Sequence, residues 1–203
     1  MSLLSTIDID KAHLILQPFI TQTPLVTNEA INKLVNAKVY FKLENLQKTG
    51  SFKIRGATYK ISLLSEEQKQ KGIVAYSSGN HGQAVAFASL NLGIKATIVM
   101  PYNAPKIKIE NTKSYGANIV FYDPQKENRE IIGKQIAYET GKTLIKPYDD
   151  IEIIAGQGTV GKEITEQFKE INIIPDIYLC SVSGGGLIAG SSYYLKSNFP
   201  KIE

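Results

Sequence analysis

The chain has 203 residues, 43% of them hydrophobic, enough to bury a substantial core in one domain or two small ones. Its net charge of +4 is modest, and 23 basic residues are dispersed among 19 acidic ones, so no basic block argues for nucleic-acid binding. Cys180 is the single cysteine, which excludes an intramolecular disulfide and argues against a cysteine-built metal cluster.

Cys180 sits in the apolar run Ile177–Tyr178–Leu179–Cys180, where a buried structural thiol is expected. The first residues lack a basic segment followed by an apolar one, and no apolar run approaches membrane-spanning length. The expectation is a soluble, cytoplasmic protein.

From Val39 onward short β-rich runs alternate with helical patterns. Strands are expected at 39–43, 73–76, 96–100, 118–122, 143–145 and 176–180. Helices are expected at 53–64, 83–92, 105–115, 125–140, around 161–169 and from Leu187 to about Leu195, with Gly93, Gly116 and Gly141 closing three of them. This alternation implies an α/β fold with parallel sheet covered on both faces.

Three strand-to-helix turns carry chemical interest, since ligands of such sheets bind beyond the carboxyl ends of strands. The first, Thr49–Ala57, contains Lys53 at the start of a helix, where the dipole and nearby Arg55 favour a neutral amine able to condense with an aldehyde. A solubilising surface lysine is the commoner case for any lysine taken alone. The second, Ser77–Ser78–Gly79–Asn80–His81–Gly82, offers hydroxyls, an amide and an imidazole between glycines, and reads as an anion site or as a capped polar turn. With His13 the only other histidine, zinc is not expected there, and no metal site is expected elsewhere. The third, Ser183–Gly184–Gly185–Gly186–Leu187, is a nest of N–H donors at a helix N-terminus suited to phosphate, although a ligand-free tight turn is also possible. It matches neither a Walker loop nor the dinucleotide fingerprint.

Taken together and in this order, the three segments resemble the β-family (fold type II) of pyridoxal-phosphate enzymes, in particular serine/threonine dehydratases and serine racemases. The run Lys42 to Ala57 is similar to that subgroup's cofactor-lysine segment, Ser77–Gln83 to its asparagine loop, and Ala155–Gly156–Gln157–Gly158–Thr159 to a further hallmark. Ser183 stands where the usual loop has a first glycine, and Lys146 where relatives often carry histidine.

The resemblance implies a tryptophan-synthase-β-like, three-layer α/β/α fold. Residues 1–63 and 149–203 would form a large cofactor domain, and 64–148 a small domain closing over substrate. Members continue well beyond the glycine loop, so the large domain is expected to be incomplete and to expose apolar surface. Lys53 would carry pyridoxal 5'-phosphate with Phe52 beside its ring. Asn80 would bond its phenolic oxygen, and Ser183, Gly184, Gly185, Gly186 and Leu187 would hold its phosphate. Ser77, Ser78, Asn80 and His81 would receive the substrate carboxylate, Ser78 matching the acid/base hydroxyl of racemases, with Arg129 near the substrate.

The implied reaction is deamination of a small hydroxyamino acid, L-threonine or L-serine, to 2-oxobutanoate or pyruvate and ammonia, with Lys53 removing the α-proton. Serine racemisation and deamination of hydroxyaspartate are the alternatives within the family, and an inactive cofactor-binding fragment is the alternative outside catalysis. Relatives of this kind are commonly dimers or tetramers, so a homo-oligomer is expected. No nucleic-acid or membrane partner is.

Overall fold

The computed structural model describes residues 4–77 and 79–203. The chain begins with helix α1 (Thr6–Leu16), whose start is fixed by a capping box between Ser5 and Asp8. Strand β1 (Leu25–Thr27), helix α2 (Glu29–Val35) and strand β2 (Tyr40–Lys42) follow, β1 and β2 pairing antiparallel. Helices α3 (Lys53–Ser62) and α4 (Glu66–Lys71) lead into strand β3 (Ile73–Tyr76), helix α5 (Asn80–Asn91), strand β4 (Ala96–Pro101) and helix α6 (Lys106–Ser114). Strand β5 (Asn118–Tyr122), helix α7 (Arg129–Thr140), strand β6 (Thr143–Leu144), helix α8 (Ile151–Glu170) and helix α9 (Gly186–Asn198) complete the order.

Four strands form a parallel sheet in the order β5-β4-β3-β6. Successive strand residues point to opposite faces, and the sequence fills both with apolar side chains. Ile73, Ala75, Ile98 and Met100 join Ile54, Ile61 and Val85 of α3 and α5 in the largest cluster. Val74, Tyr76, Val99 and Tyr122 face Ile132 and Ile136 of α7 on the other side. The sheet is therefore the middle layer of an α/β/α sandwich, as expected.

Helix α8 is the axis of the remaining layer. Its Val160, Ile164 and Phe168 pack with Leu195 and Phe199 of α9, and its Ala155 with Ala12, Leu16 and Tyr59 of α1 and α3. Only its last part is legible in sequence, because Gly156, Gly158 and Gly161 depress local helix propensity. Those glycines lie where helices touch: a β-carbon on Gly156 would sit 2.6 Å from the Cα of Gly56, and one on Gly161 2.5 Å from the carbonyl oxygen of Ser191.

Two expectations fail between α8 and α9. Residues 176–180 are not a strand, despite β-favouring composition. Among the described residues their ladder-like bonds are to Glu203 alone, with Tyr178 N–H donating to the Glu203 carbonyl (2.8 Å) and Glu203 N–H to that of Asp176 (2.9 Å). Ile177, Leu179 and Val182 are exposed. Nor is Cys180 a buried thiol: it is half-exposed, with Sγ against the carbonyl of Ser181. No described helix is long and apolar enough to cross a membrane.

Candidate active site

Lys53 is the first residue of α3, following Phe52, whose ring centroid lies 5.3 Å from its Nζ. The ammonium is half-buried and donates to the backbone carbonyl of Pro147 at 2.7 Å. Burial holds its pKa below the ordinary lysine value, because the charged form loses solvation. Arg55, invoked from sequence, is not the cause: it turns its charge away, into a cluster of its own.

That cluster is closed. Arg55 is fully buried, and each of its five N–H groups has an acceptor. Nε and Nη2 bond Glu44 at 2.9 and 2.8 Å, Nη1 and Nη2 bond Glu163 at 2.6 and 2.9 Å, and Nη1 also reaches Thr159 at 3.2 Å. Lys42 Nζ likewise places its three donors on Glu163 (2.6 Å), Gln167 (3.0 Å) and the carbonyl of Thr23 (2.6 Å). Burial opposes the Arg55 charge, but bonding to Glu44 and Glu163 outweighs it and raises the pKa. For Lys42 burial outweighs Glu163, and its pKa is lowered. The cluster ties the helix carrying Lys53 to α8.

The loop between β3 and α5 prolongs the sheet by one bond, from Ser77 N–H to the carbonyl of Val99 (3.0 Å), and the Ser77 hydroxyl accepts from Gly79 N–H (3.1 Å). Gly79 occupies the cap of α5 and brings no side-chain acceptor. Ser78, expected as an acid/base hydroxyl, lies outside the described residues. Asn80 is exposed, and its Oδ1 accepts from Lys108 Nζ at 2.9 Å, as does buried Gln83. His81 points inward instead: its Nε2 meets the carbonyl of Ile145 at 3.1 Å, and burial pulls its pKa down to about 4. Facing a carbonyl, the neutral ring carries its proton on Nε2 and donates there. Arg129, the first residue of α7, lies over the Tyr76 ring at 5.9 Å, one residue from the Ser77 loop.

The glycine loop enters α9 through Ser183 (φ 46°) and Gly185 (φ 86°), both in the left-handed region. Gly185 N–H closes a turn onto Val182 (2.9 Å), and no side chain caps the helix. The N–H groups of Gly186, Leu187 and Ile188 in the first turn are therefore donors without a helical acceptor, the arrangement that favours an anion. A β-carbon at Gly185 would meet nothing within 4 Å, whereas one at Gly184 would collide with the Tyr148 ring.

Sequence reasoning missed what joins these pieces, the connector of residues 145–150 between β6 and α8. Its Ile145 carbonyl takes His81, its Pro147 carbonyl takes Lys53, its Tyr148 lies on the glycine loop, and Asp150 caps α8 while bonding Lys60 at 3.0 Å. Lysine segment, asparagine loop and glycine loop thus meet on one short stretch of backbone.

Comparison with known proteins shows the family. Residues 16–203 match the family model described as pyridoxal-phosphate dependent enzyme. The chain is 44% identical over 197 residues to a catabolic L-threonine dehydratase of Staphylococcus aureus, covering 97% of this chain and 56% of that protein. It is 43% identical over 185 residues to the L-threo-3-hydroxyaspartate ammonia-lyase of Saccharomyces cerevisiae, covering 91% of this chain and 56% of that one. The solved structure of maize serine racemase superposes with a TM-score of 0.91 at 40% identity, over 99% of this chain and 60% of that one. The chain therefore spans somewhat over half the length of the relatives it matches.

Proposed function

Because this chain belongs to the family of pyridoxal-phosphate-dependent enzymes, we propose that it serves an ammonia-lyase deaminating L-threonine and L-serine to 2-oxobutanoate and pyruvate. The observation that carries this reading is the setting of Lys53: a half-buried amine with a depressed pKa, bonded to a neutral carbonyl one residue from the side chain that rests on the glycine loop.

The residues present suit the cofactor. An aldehyde needs a lysine that loses its proton readily, and burial gives Lys53 that property. A phosphate needs N–H donors at an uncapped helix start, and the first turn of α9 has them beside the open face of Gly185. When bound, pyridoxal phosphate supplies the aldehyde that takes up the substrate amine and the ring that delocalises charge at the α-carbon.

The chain's own residues do the rest. Lys53 Nζ moves the α-proton, with the Phe52 ring centroid 5.3 Å from it. Ser183, Gly184, Gly186 and Leu187 hold the phosphate, with Gly185 shaping the turn. Asn80, whose Oδ1 accepts from Lys108, offers its amide N–H groups to the cofactor's phenolic oxygen, and Ser77 and Ser78 receive the substrate carboxylate. His81 supports that loop from beneath through Ile145, and Arg129 closes from α7. Residues 64–148, which contain the parallel sheet, act as the small closing domain against 1–63 and 149–203, with the connector as one of its two junctions.

The test is the visible absorbance of the purified chain with pyridoxal phosphate, before and after borohydride, beside Lys53→Ala, followed by product analysis with threonine, serine and hydroxyaspartate. A Lys53-dependent band and 2-oxo acids from threonine or serine are expected. Absence of a band in folded protein would overturn the reading, and D-serine as main product would replace it with racemisation.

A further inference from the structure

We propose that Tyr148 is a positioning residue that couples anion binding at the glycine loop to the freedom of the Lys53 amine. This rests on the reading of that loop as a phosphate site and of Lys53 as the aldehyde-reacting lysine.

Tyr148 touches the loop at two points. Its ring occupies the space a side chain on Gly184 would need, and its carbonyl oxygen and Cα lie 3.3 and 3.4 Å from where a β-carbon of Gly186 would be. The residue before it provides the carbonyl that holds Lys53 Nζ at 2.7 Å. The connector is pinned at both ends. Ile145 N–H bonds the carbonyl of Val74 (2.8 Å) and its own carbonyl takes His81, while Asp150 accepts from the N–H groups of Glu152 and Ile153 and from Lys60. Between those pins Lys146 and Asp149 are exposed. Because the Tyr148 carbonyl itself accepts from Asp150 N–H (3.0 Å), displacement of the Tyr148 ring falls on the Pro147–Tyr148 peptide, which carries the acceptor of Lys53.

An anion drawn to the N–H groups of Gly184, Gly186 and Leu187 approaches the same glycines as Tyr148. As the ring yields, the Pro147 carbonyl turns, and the ammonium loses the one acceptor that holds it among the described residues. With that bond gone, deprotonation of the half-buried amine is easier. Phosphate binding thus prepares the amine at the other end of the site, and by linkage a reacted Lys53 favours phosphate.

The two halves of the ligand can be supplied separately. Pyridoxal, which lacks the phosphate, condenses with neutral Lys53: the aldehyde carbon forms a double bond to Nζ and its oxygen leaves as water. Its Lys53-dependent absorbance would be titrated with and without inorganic phosphate in the wild-type chain, Tyr148→Phe and Tyr148→Ala, with Lys53→Ala as blank and Tyr148→Leu as a second ring-less variant. Phosphate is expected to tighten pyridoxal binding about tenfold in the wild type and in Tyr148→Phe, which keeps the ring, and less than about twofold in the ring-less variants. An equal response in wild type and ring-less variants, or none in the wild type, overturns the coupling while leaving the functional reading intact. No Lys53-dependent band even with pyridoxal phosphate overturns both.

Discussion

Arg55 and Glu163, 108 residues apart in sequence, face each other through two hydrogen bonds of 2.6 and 2.9 Å, with neither side chain more than 1% exposed. Truncating one member of such a pair leaves the others charged and buried. Glu163→Ala strands Arg55 and Lys42 together, and a loss of about 3–5 kcal/mol is expected from urea denaturation. Glu163→Gln keeps an acceptor and should cost less. A loss below about 1 kcal/mol for Glu163→Ala would mean that the cluster is solvated.

Lys53 should react at lower pH than an ordinary lysine. Its folded pKa lies below the ordinary value, so the neutral amine is populated where exposed lysines remain charged. Competitive acetylation between about pH 7 and pH 10, read by mass spectrometry, should show Lys53 half-reacting at lower pH in the folded chain than in urea. Coincident profiles would remove burial as the activating cause.

His81 makes stability depend on pH in a definite direction. Its folded pKa of about 4 lies below the ordinary 6.5, owing first to burial and then to the charge of Lys53, against the pull of the Ile145 carbonyl. The unfolded chain therefore binds a proton that the folded chain refuses as pH falls from 6.5 toward 4. Stability is complete above that window and falls by up to about 3 kcal/mol across it. Urea midpoints at neutral pH and near pH 5 should differ more in the wild type than in His81→Gln, and equal differences would place the acid sensitivity elsewhere.

The contact of α3 with α8 leaves no room for a methyl group. Gly156→Ala would put a β-carbon 2.6 Å from Gly56 Cα and 2.9 Å from the Arg55 carbonyl oxygen, both backbone atoms that cannot rotate aside. Overpacking of this kind costs about 1–3 kcal/mol, and separating the helices would also shift Lys53. Thermal melts, together with the Lys53 band, should both change, whereas Gly93→Ala, which meets nothing within 4 Å but has φ 68°, should alter stability alone.

Much of this was legible in the sequence where structure is local. Strands 73–76 and 118–122 appear at the residues their β-rich composition implied, and Lys53, the Ser77 loop and the glycine loop stand at strand-to-helix or helix-entry turns. Helix α1 went unread because its buried residues are only Ile9, Ala12 and Leu16, a narrow stripe. Residues 176–180 read as a strand because composition reports compatibility with a sheet, while a ladder also needs a neighbour. The connector was invisible for a deeper reason: it acts through the carbonyls of Ile145 and Pro147, and every residue has a carbonyl.

The saturation of the Arg55 cluster also bears on how such a sequence can change over time. With all five guanidinium donors and all three ammonium donors of Lys42 engaged, each member is suited only to the others as they stand. A neutral replacement at Lys42, Glu44, Arg55 or Glu163 alone passes through an intermediate whose buried charges no longer balance. Lineages are thus held to inheriting the four as a block, and positions far apart in the chain should vary together or not at all.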